Sequence, residues 1–145
     1  MMDKIKYYLI QWTWGLPMNI LGLIMFIAAK TLGWRTYMYR KAVCIATPWK
    51  FVSAVSLGMF IMHGPMCTDA LPHEYGHSIQ NMRWGWSFLF TIGIPSFIRC
   101  WYHNLYYMYK YPKTRKPLPD YYSIWFEKEA NELGEKAEKN TWSWI

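Results

Sequence analysis

Residues Pro72–Gln80 read Pro-His-Glu-Tyr-Gly-His-Ser-Ile-Gln and contain the pattern H-E-x-x-H. On a helix, positions i and i+4 lie on one face about one turn apart, so His73 and His77 can reach a single metal ion. Glu74 then stands beside a water molecule held by that ion. The pattern predicts a helix with a zinc site of the kind that hydrolases use. The alternative is an ordinary pair of helical histidines, and a third ligand decides between the two.

The best candidate for the third ligand lies about fifty residues downstream, in Trp125–Gly134. Read as a helix, this segment places Glu127 and Asn131 on one face with Ala130 beside them. Glu127 would supply a carboxylate ligand, and Asn131 would hold a ligand in place by a hydrogen bond. Ala130 is small enough for two helices to approach closely. The sequence therefore predicts that Glu127 completes a Zn²⁺ site with the two histidines.

The combination of H-E-x-x-H with a later E-x-x-A-D/N element resembles the Glu-zincins. Among these, the likeness is to the membrane metallopeptidases that include prenyl-protein proteases and heat-shock proteases. A closer resemblance is to a group of small bacterial membrane proteins without an established substrate. Their motifs V-S-L-G, H-E-Y-G-H-S/T-I-Q, G-x-P-S, and Y-Y followed by E-K-x-A-N/D-x-L-G stand here at Val55–Gly58, His73–Gln80, Gly93–Ser96 and Tyr121–Gly134. The resemblance covers roughly residues 52 to 134 and implies the ligands His73, His77 and Glu127.

The 145 residues suffice for one domain, and their composition is unusually aromatic, with 20% Phe, Trp and Tyr. Amphipathic aromatic side chains are typical of proteins at a membrane–water interface, although a small soluble domain with an aromatic core is the alternative. The net charge of +7 is not accompanied by a nucleic-acid-binding motif. Membrane lipid is therefore the expected partner, and nucleic acid is not. The three cysteines are too scattered for a disulfide framework or a cysteine zinc site.

The longest uncharged run extends from Tyr7 to Ala29. As one helix it would be about 34 Å long, enough to cross a hydrocarbon core of about 30 Å. Pro17 and Asn19 interrupt the run, so it could instead lie in the interface as a re-entrant or amphipathic anchor. A cleaved signal peptide is disfavoured because no A-x-A site follows. We expect residues 1–35 to anchor the protein and residues 36–145 to form a zincin-like metal-binding domain.

The orientation in the membrane follows from the lysines and arginines that flank the apolar run. Lys4 and Lys6 precede it, whereas Lys30, Arg35 and two further cations at positions 40 and 41 follow it. Because cytoplasmic flanks are enriched in these residues, the metal-binding half is expected on the cytoplasmic side. The resemblance to bacterial proteins implies the inner membrane.

Two short β-prone runs, Ala42–Ala46 and Phe51–Leu57, are predicted to form a β-hairpin around Thr47–Lys50. Alternatively, Phe51–Met62 belongs to a second membrane helix, because the uncharged stretch around it is long. His63 stands beside Gly64-Pro65 and is interpreted as a loop residue outside the site.

The helix of the central motif should begin near Thr68 or Asp69, carry Pro72 in its first turn and end at Gly85. The following apolar block, Trp86–Ile98, is predicted to be a helix that packs on the site or dips into the bilayer. Beyond it, residues 101–116 interleave aromatic and basic side chains, which favours contact with lipid headgroups over nucleic-acid bases.

Three prolines within residues 111–120 predict an extended connector, after which Asp120 would cap the helix that carries Glu127. An oxyanion donor is not singled out; Tyr122 and His103 are candidates. Imidazole and carboxylate ligands also accept Fe, Co or Mn, so the choice of Zn²⁺ over these metals stays open.

The predicted fold class is mainly α with a short β-hairpin, an α+β arrangement of a site helix and a Glu-bearing helix behind an N-terminal membrane-anchoring helix. The predicted function is that of a membrane-associated zinc metalloendopeptidase that hydrolyses a peptide or protein substrate with Glu74 as general base. One alternative is an inactive membrane-anchored binding or scaffold protein with a structural metal or none. Another is a small protein that perturbs bilayers. The oligomeric state is left open.

Overall fold

A computed structural model describes residues 4–50 and 53–139 of the chain. Within this part the protein is mainly helical and contains one small mixed sheet of four strands. The α+β class predicted from the sequence is confirmed at this level.

The N-terminal apolar run forms two helices, α1 (Lys4–Thr13) and α2 (Leu16–Thr31), where the sequence predicted one. They are bent by 98° at the break, and Pro17 lies in the first turn of α2. A proline is tolerated in a first turn, but it cannot donate the hydrogen bond that would continue α1 into α2. Among the described residues, no single helix has the length and apolar character needed to cross a membrane. Only this bent pair meets both criteria together.

The sheet consists of β1 (Arg35–Tyr39), β2 (Ala42–Ala46), β3 (Val55–Leu57) and β4 (Phe60–His63), in the order β1-β2-β4-β3. β1 and β2 pair as an antiparallel hairpin, β2 runs parallel to β4, and β3 lies antiparallel to β4 at the edge. The predicted hairpin is therefore wrong in its pairing. β2 has two neighbours, β1 and β4, and neither is the strand that the sequence analysis assigned to it.

The alternative of a second membrane helix over Phe51–Met62 is also wrong for the residues that are described. Residues 53–62 contain β3, a turn and most of β4, while Phe51 and Val52 lie outside the described residues. The turn places Gly58 at a φ of 67°, a conformation that glycine adopts without strain and that ends any helix.

Helix α3 (Leu71–Trp84) carries the central motif and has nearly the predicted bounds. A 3-10 turn at Thr68–Ala70 leads into it, Pro72 lies in its first turn, and the chain leaves it at Gly85 with a φ of 56°. These bounds are local in origin, because proline suits only the first turn and glycine accepts the left-handed region at the end.

The apolar block after α3 is helical, as predicted, and it belongs to a longer helical segment. That segment contains a π-helical turn at Leu89–Gly93, α4 (Ile94–Leu105), a second π-helical turn at Tyr106–Lys110, and α5 (Tyr111–Thr114). The predicted extended connector thus begins only at residue 115. It ends at a 3-10 turn, Tyr121–Ser123, which precedes α6 (Trp125–Glu138). Asp120 accepts the Tyr122 N–H and so caps this turn, not α6 as predicted.

The N-terminal helices share a core with the rest of the chain. Tyr7 of α1, Ile61 of β4, Ile79 of α3 and Leu133 of α6 belong to one cluster of buried side chains. The expected division at residue 35 therefore does not coincide with a break in this core. Burial of such side chains is the main stabilising contribution to the fold, at about 1.5–3 kcal/mol for each large aliphatic residue.

A second, polar set of contacts joins the bend between α1 and α2 to the back of α3. The Gln11 side-chain amide donates to the Ser78 carbonyl oxygen at 2.9 Å, and its Oε1 accepts from Asn19 and Asn81 at 2.8 and 2.7 Å. Tyr7 shares a hydrogen bond of 2.6 Å with the Ser78 hydroxyl. All five side chains are completely buried. They tie α1 and α2 to the helix that carries the motif.

Candidate metal centre

Helices α3 and α6 approach each other so closely that two glycines are needed at the contact. A Cβ added at Gly76 would overlap the carbonyl oxygen of Ala130, and one at Gly134 would overlap the carbonyl oxygen of Pro72. The helices therefore approach closely at Ala130, where the sequence predicted it, and Gly76 and Gly134 make that approach possible. The short distance between the backbones lets a side chain of α6 reach the histidines of α3.

The structure brings the three predicted ligands together. The Glu127 Oε2 atom lies 3.1 Å from the His73 Nε2 and 3.3 Å from the His77 Nε2. One ligand atom from each residue fits within a mutual separation of 4.8 Å. Donor atoms around a tetrahedral zinc ion, with bonds of about 2.0–2.1 Å, stand about 3.3 Å apart. The two separations from the Glu127 Oε2 match that spacing.

The other ring nitrogens of the two histidines face amide oxygens. The Nδ1 of His73 lies 2.7 Å from the Asn131 Oδ1, and the Nδ1 of His77 lies 2.7 Å from the Gln80 Oε1. An amide oxygen only accepts, so each Nδ1 must carry the hydrogen and donate it. In a neutral imidazole the Nε2 then presents a lone pair. Asn131 therefore contacts the His73 ring as its predicted orienting role requires, and the role itself stays a prediction.

When both imidazoles are neutral, three lone-pair-bearing atoms converge on one point. Two imidazole nitrogens and a carboxylate oxygen repel one another unless a proton or a cation lies among them. His77 and Glu127 are fully or almost fully buried, so water cannot relieve that repulsion easily. This donor set fits a divalent metal of the zinc type, which prefers imidazole and carboxylate ligands.

Two hydroxyl groups hold the second carboxylate oxygen of Glu127. The Ser96 Oγ donates to the Glu127 Oε1 at 2.5 Å, and the Tyr121 hydroxyl donates to it at 3.2 Å. Burial by itself would raise the pKa of Glu127, but hydrogen bonds from His73 and His77 in their protonated form, together with the Ser96 hydroxyl, hold that pKa far below its usual range. The Glu127 carboxylate is therefore ionised at any pH at which it would act as a metal ligand.

Gln80 connects the site to the outer side of α6. Its amide nitrogen donates to the Phe126 carbonyl oxygen and to Glu129, both at 2.8 Å. These two bonds determine the orientation of the amide, so its oxygen faces His77. Glu129 also forms a 2.6 Å ion pair with Arg83 near the surface.

Glu74 lies beside the cluster and lines the cleft that leads to it. Its side chain is 7% exposed, and the Ser56 backbone of edge strand β3 forms a hydrogen bond with it. Burial raises the pKa of Glu74, while His77 and His73 act in the opposite direction. The pKa values of Glu74 and Glu127 are thus shifted apart, which is the pattern of one carboxylate that exchanges a proton and one that remains ionised.

The cleft has a volume of about 720 Å³ and exposes one histidine of the cluster, His73, together with Glu74. Its walls are the loop before α3, the inner side of α4 and the residues around Tyr121. Tyr122 and His103, the two candidate oxyanion donors, both line it. The ring of Tyr122 lies 5.2 Å from the ring of His73, whereas His103 packs on Tyr121 and Tyr107.

The sequence analysis gave no role to Ser96, Tyr121 or Gln80. Ser96 and Tyr121 stand in two of the short motifs that carry the resemblance, and Gln80 follows His77 by three residues on the same helix. Their positions in these motifs were the only indication in the sequence that they belong to the site. Their partners could not be inferred because the contacts cross between distant segments. The interpretation of His63 as a loop residue is wrong, because it is the last residue of β4 and is buried with a 2.8 Å hydrogen bond to Tyr37.

Comparison with known proteins adds no assignment, since no family model, no curated protein and no solved structure matches the chain. The zincin resemblance accordingly stays a prediction. The case for a metal centre depends on the geometry of the three ligands and their hydrogen-bond partners.

Proposed function

We propose that this protein is a membrane-associated zinc metallopeptidase whose centre is built from α3 and α6. The observation that supports it most strongly is the convergence of two imidazole Nε2 atoms and one carboxylate oxygen on a single point. A mere pair of helical histidines does not require a third, buried acidic partner. Nor does it require an amide oxygen behind each ring.

His73, His77 and Glu127 would hold the metal in this proposal. When bound there, a zinc ion would polarise a water molecule and the substrate carbonyl. Asn131 and Gln80 keep the two imidazoles in the tautomer with the hydrogen on Nδ1, so both Nε2 atoms are available. Ser96 and Tyr121 restrain the Glu127 carboxylate so that one oxygen faces the histidines.

Glu74 is the proposed general base. Its carboxylate accepts a proton from the attacking water and later delivers that proton to the nitrogen of the leaving amine. A base works best when its pKa approaches the working pH, and burial raises the pKa of Glu74 in that direction. Its position in the wall of the cleft gives it access to a peptide that enters there.

A peptide or protein is the proposed substrate, and membrane lipid is the proposed partner. The aromatic composition, the net charge of +7 and the apolar N-terminal pair of helices support the association with a membrane. The competing function is an inactive scaffold that keeps the metal for structural reasons. A structural site has no need of Glu74 in the cleft, which favours the catalytic proposal.

The metal content of purified protein tests the centre. We expect about one zinc per wild-type chain, since the geometry offers one set of three ligands. Glu127→Gln should lower zinc affinity by at least 100-fold, because it removes the charged ligand but keeps the shape. Glu132→Gln is the matched control, since Glu132 lies on an exposed position of α6. Equal zinc in all three proteins, or none after reconstitution, contradicts the proposal.

The peptidase step is tested separately with Glu74→Gln. This variant should retain zinc and lose hydrolysis of a peptide library, because the amide cannot accept the proton. Proteolysis that persists in zinc-loaded Glu74→Gln excludes Glu74 as the base. If wild type binds zinc but hydrolyses no peptide, the result supports the competing function of a scaffold with a structural metal.

A further inference from the structure

The helical segment after α3 has one apolar side that no described part of the chain covers. Six large apolar residues on it are each between 45% and 69% exposed. We call this set the outer face: Phe90, Phe97, Ile98, Trp101, Leu105 and Met108. Their spacings of 7, 8, 11, 15 and 18 residues from Phe90 place them along one side of a helix. At about 1.5 Å per residue this side is about 28 Å long.

The opposite side of the same segment faces the candidate metal centre. Cys100, His103 and Tyr107 line the cleft, and Ser96 donates to Glu127. Arg99 donates to the Tyr121 carbonyl oxygen at 2.9–3.0 Å and thereby joins α4 to the turn before α6. The outer face and the cleft are thus two sides of one helix, about one helix diameter apart, or roughly 10 Å.

The charge around the outer face indicates what covers it. Residues 86–116 contain five lysines and arginines and no aspartate or glutamate. Four of these cations, Lys110, Lys113, Arg115 and Lys116, follow the C-terminal end of the outer face. Acidic residues are instead concentrated in α6, which has five of the nine in the chain. An apolar face with a tryptophan, beside a stretch whose only charged side chains are cations, is complementary to an anionic bilayer surface.

We infer that the outer face lies in the interfacial layer of an anionic bilayer, with the cationic end of the segment on the lipid headgroups. The cleft on the other side of α4 then opens close to the membrane surface. If the proposed peptidase function holds, on which this further step rests, the substrate class is a peptide segment at or just outside the membrane surface.

Vesicle binding tests the surface directly, with full-length protein and vesicles in which about one third of the phosphatidylcholine is replaced by phosphatidylglycerol. Wild type should co-sediment with these vesicles and much less with pure phosphatidylcholine. Phe97→Ser/Trp101→Ser should weaken binding at least tenfold, since burying one large apolar side chain contributes about that factor. The matched control is Met38→Ser/Trp49→Ser, which removes two exposed apolar side chains outside both the outer face and the N-terminal helices, and its loss should be smaller.

A variant with fewer lysines tests the same inference independently, so that the test does not depend on the folding of the Phe97/Trp101 variant. Lys110→Gln/Lys113→Gln/Lys116→Gln changes only exposed side chains and should weaken binding to the anionic vesicles about fivefold for each cation. The inference is overturned if the Phe97/Trp101 variant and the lysine variant both bind like wild type, or if the Met38/Trp49 control loses more affinity than the Phe97/Trp101 variant does. It is equally overturned if wild type binds neither vesicle, as expected when a second copy or another protein covers this face.

The substrate class has its own readout, which separates it from the peptidase proposal. A peptide anchored to the vesicle by an acyl chain should be cleaved faster than the same peptide free in solution. Phe97→Ser/Trp101→Ser should remove that advantage while keeping its zinc. Equal cleavage of the two peptides by wild type overturns the substrate class. Vesicle binding without any cleavage contradicts the peptidase proposal but supports the inference that the outer face binds the bilayer.

Discussion

Helix α3 carries two buried polar faces that are built from different chemistry. The face toward α6 places His73 and His77 against Glu127, all three ionisable and all directed at one point. The face toward α1 and α2 contains Ser78 and Asn81, which are neutral and bond to neighbouring amides and hydroxyls. Neutral donors and acceptors can satisfy one another by themselves, whereas the ionisable group needs a proton or a cation. Only the α6 face has the character of a ligand site.

The two faces also differ in how their neighbours approach. Toward α6 the backbones come so close that only glycine fits at positions 76 and 134. Glu127 can reach the two histidines because neither position carries a Cβ. Toward α1 the contact is made by the side chains of Gln11 and Tyr7, and Asn19 of α2 bonds to Gln11 behind them. Substitutions on the first face should therefore change the metal centre, and substitutions on the second should change stability alone.

The largest effect is expected when the close approach itself is broken. Gly76→Ala introduces a methyl group where the Ala130 carbonyl oxygen lies, so α6 must move away. We expect the free energy of unfolding to fall by about 3 kcal/mol and zinc uptake to be lost with it. Denaturant unfolding and elemental analysis measure the two effects.

Gly93→Ala is the matched control for that change. A Cβ at Gly93 would meet only ordinary van der Waals contacts, the nearest at 3.6 Å, in a helical conformation. Its stability should equal that of wild type or exceed it slightly, because alanine has the higher helix propensity. Similar stability of the Gly76 and Gly93 variants would show that α3 and α6 are not in such close contact.

A smaller effect on stability, with no effect on metal, is expected on the other face. Gln11→Leu keeps the volume but removes one hydrogen-bond partner from each of Ser78, Asn19 and Asn81. Each lost hydrogen bond costs about 0.5–1.5 kcal/mol, so the free energy of unfolding should fall by about 2 kcal/mol. The folded variant should still bind one zinc. Zinc loss at a temperature where the variant stays folded would mean that the two faces are coupled.

The smallest effect is expected from a group that only orients a ligand. Asn131→Leu removes the acceptor behind His73 and should weaken zinc binding about tenfold, with one zinc still bound at saturation. Competition with a chelator of known affinity measures that change, and Glu132→Gln again serves as the control. A loss as large as that of Glu127→Gln would place Asn131 among the ligands. An unchanged affinity would show that the hydrogen bond to His73 has no role.

Much of the candidate site could be predicted because its signals are local. The i, i+4 spacing of His73 and His77, the position of Pro72 and the glycine at 85 all act within one helix. Glu127 and Asn131 share a face of α6 for the same reason. The partners Ser96 and Tyr121 could not be predicted, since they meet Glu127 only after three separate segments have packed together.

The fold, like the site, has local features that could be predicted and long-range contacts that could not. The strand Ala42–Ala46 follows from its own β-branched and apolar residues, but its pairing with β1 and β4 does not. Strand pairing depends on which chain segments lie next to each other, and a parallel partner can come from any distance along the chain. The break between α1 and α2 is likewise held by contacts of Asn19 with Gln11 and with the Met59 N–H.

The sequence by itself determined the helical class, the bounds of α3 and the identity of the three candidate ligands, because helix periodicity and end signals act over a few residues. Only the tertiary structure decided that these ligands meet, which hydroxyls restrain Glu127 and which helix side is left uncovered. Those outcomes depend on the approach of α3 to α6 and of α4 to the cleft. They arise from packing between distant segments, whose energies no local pattern records.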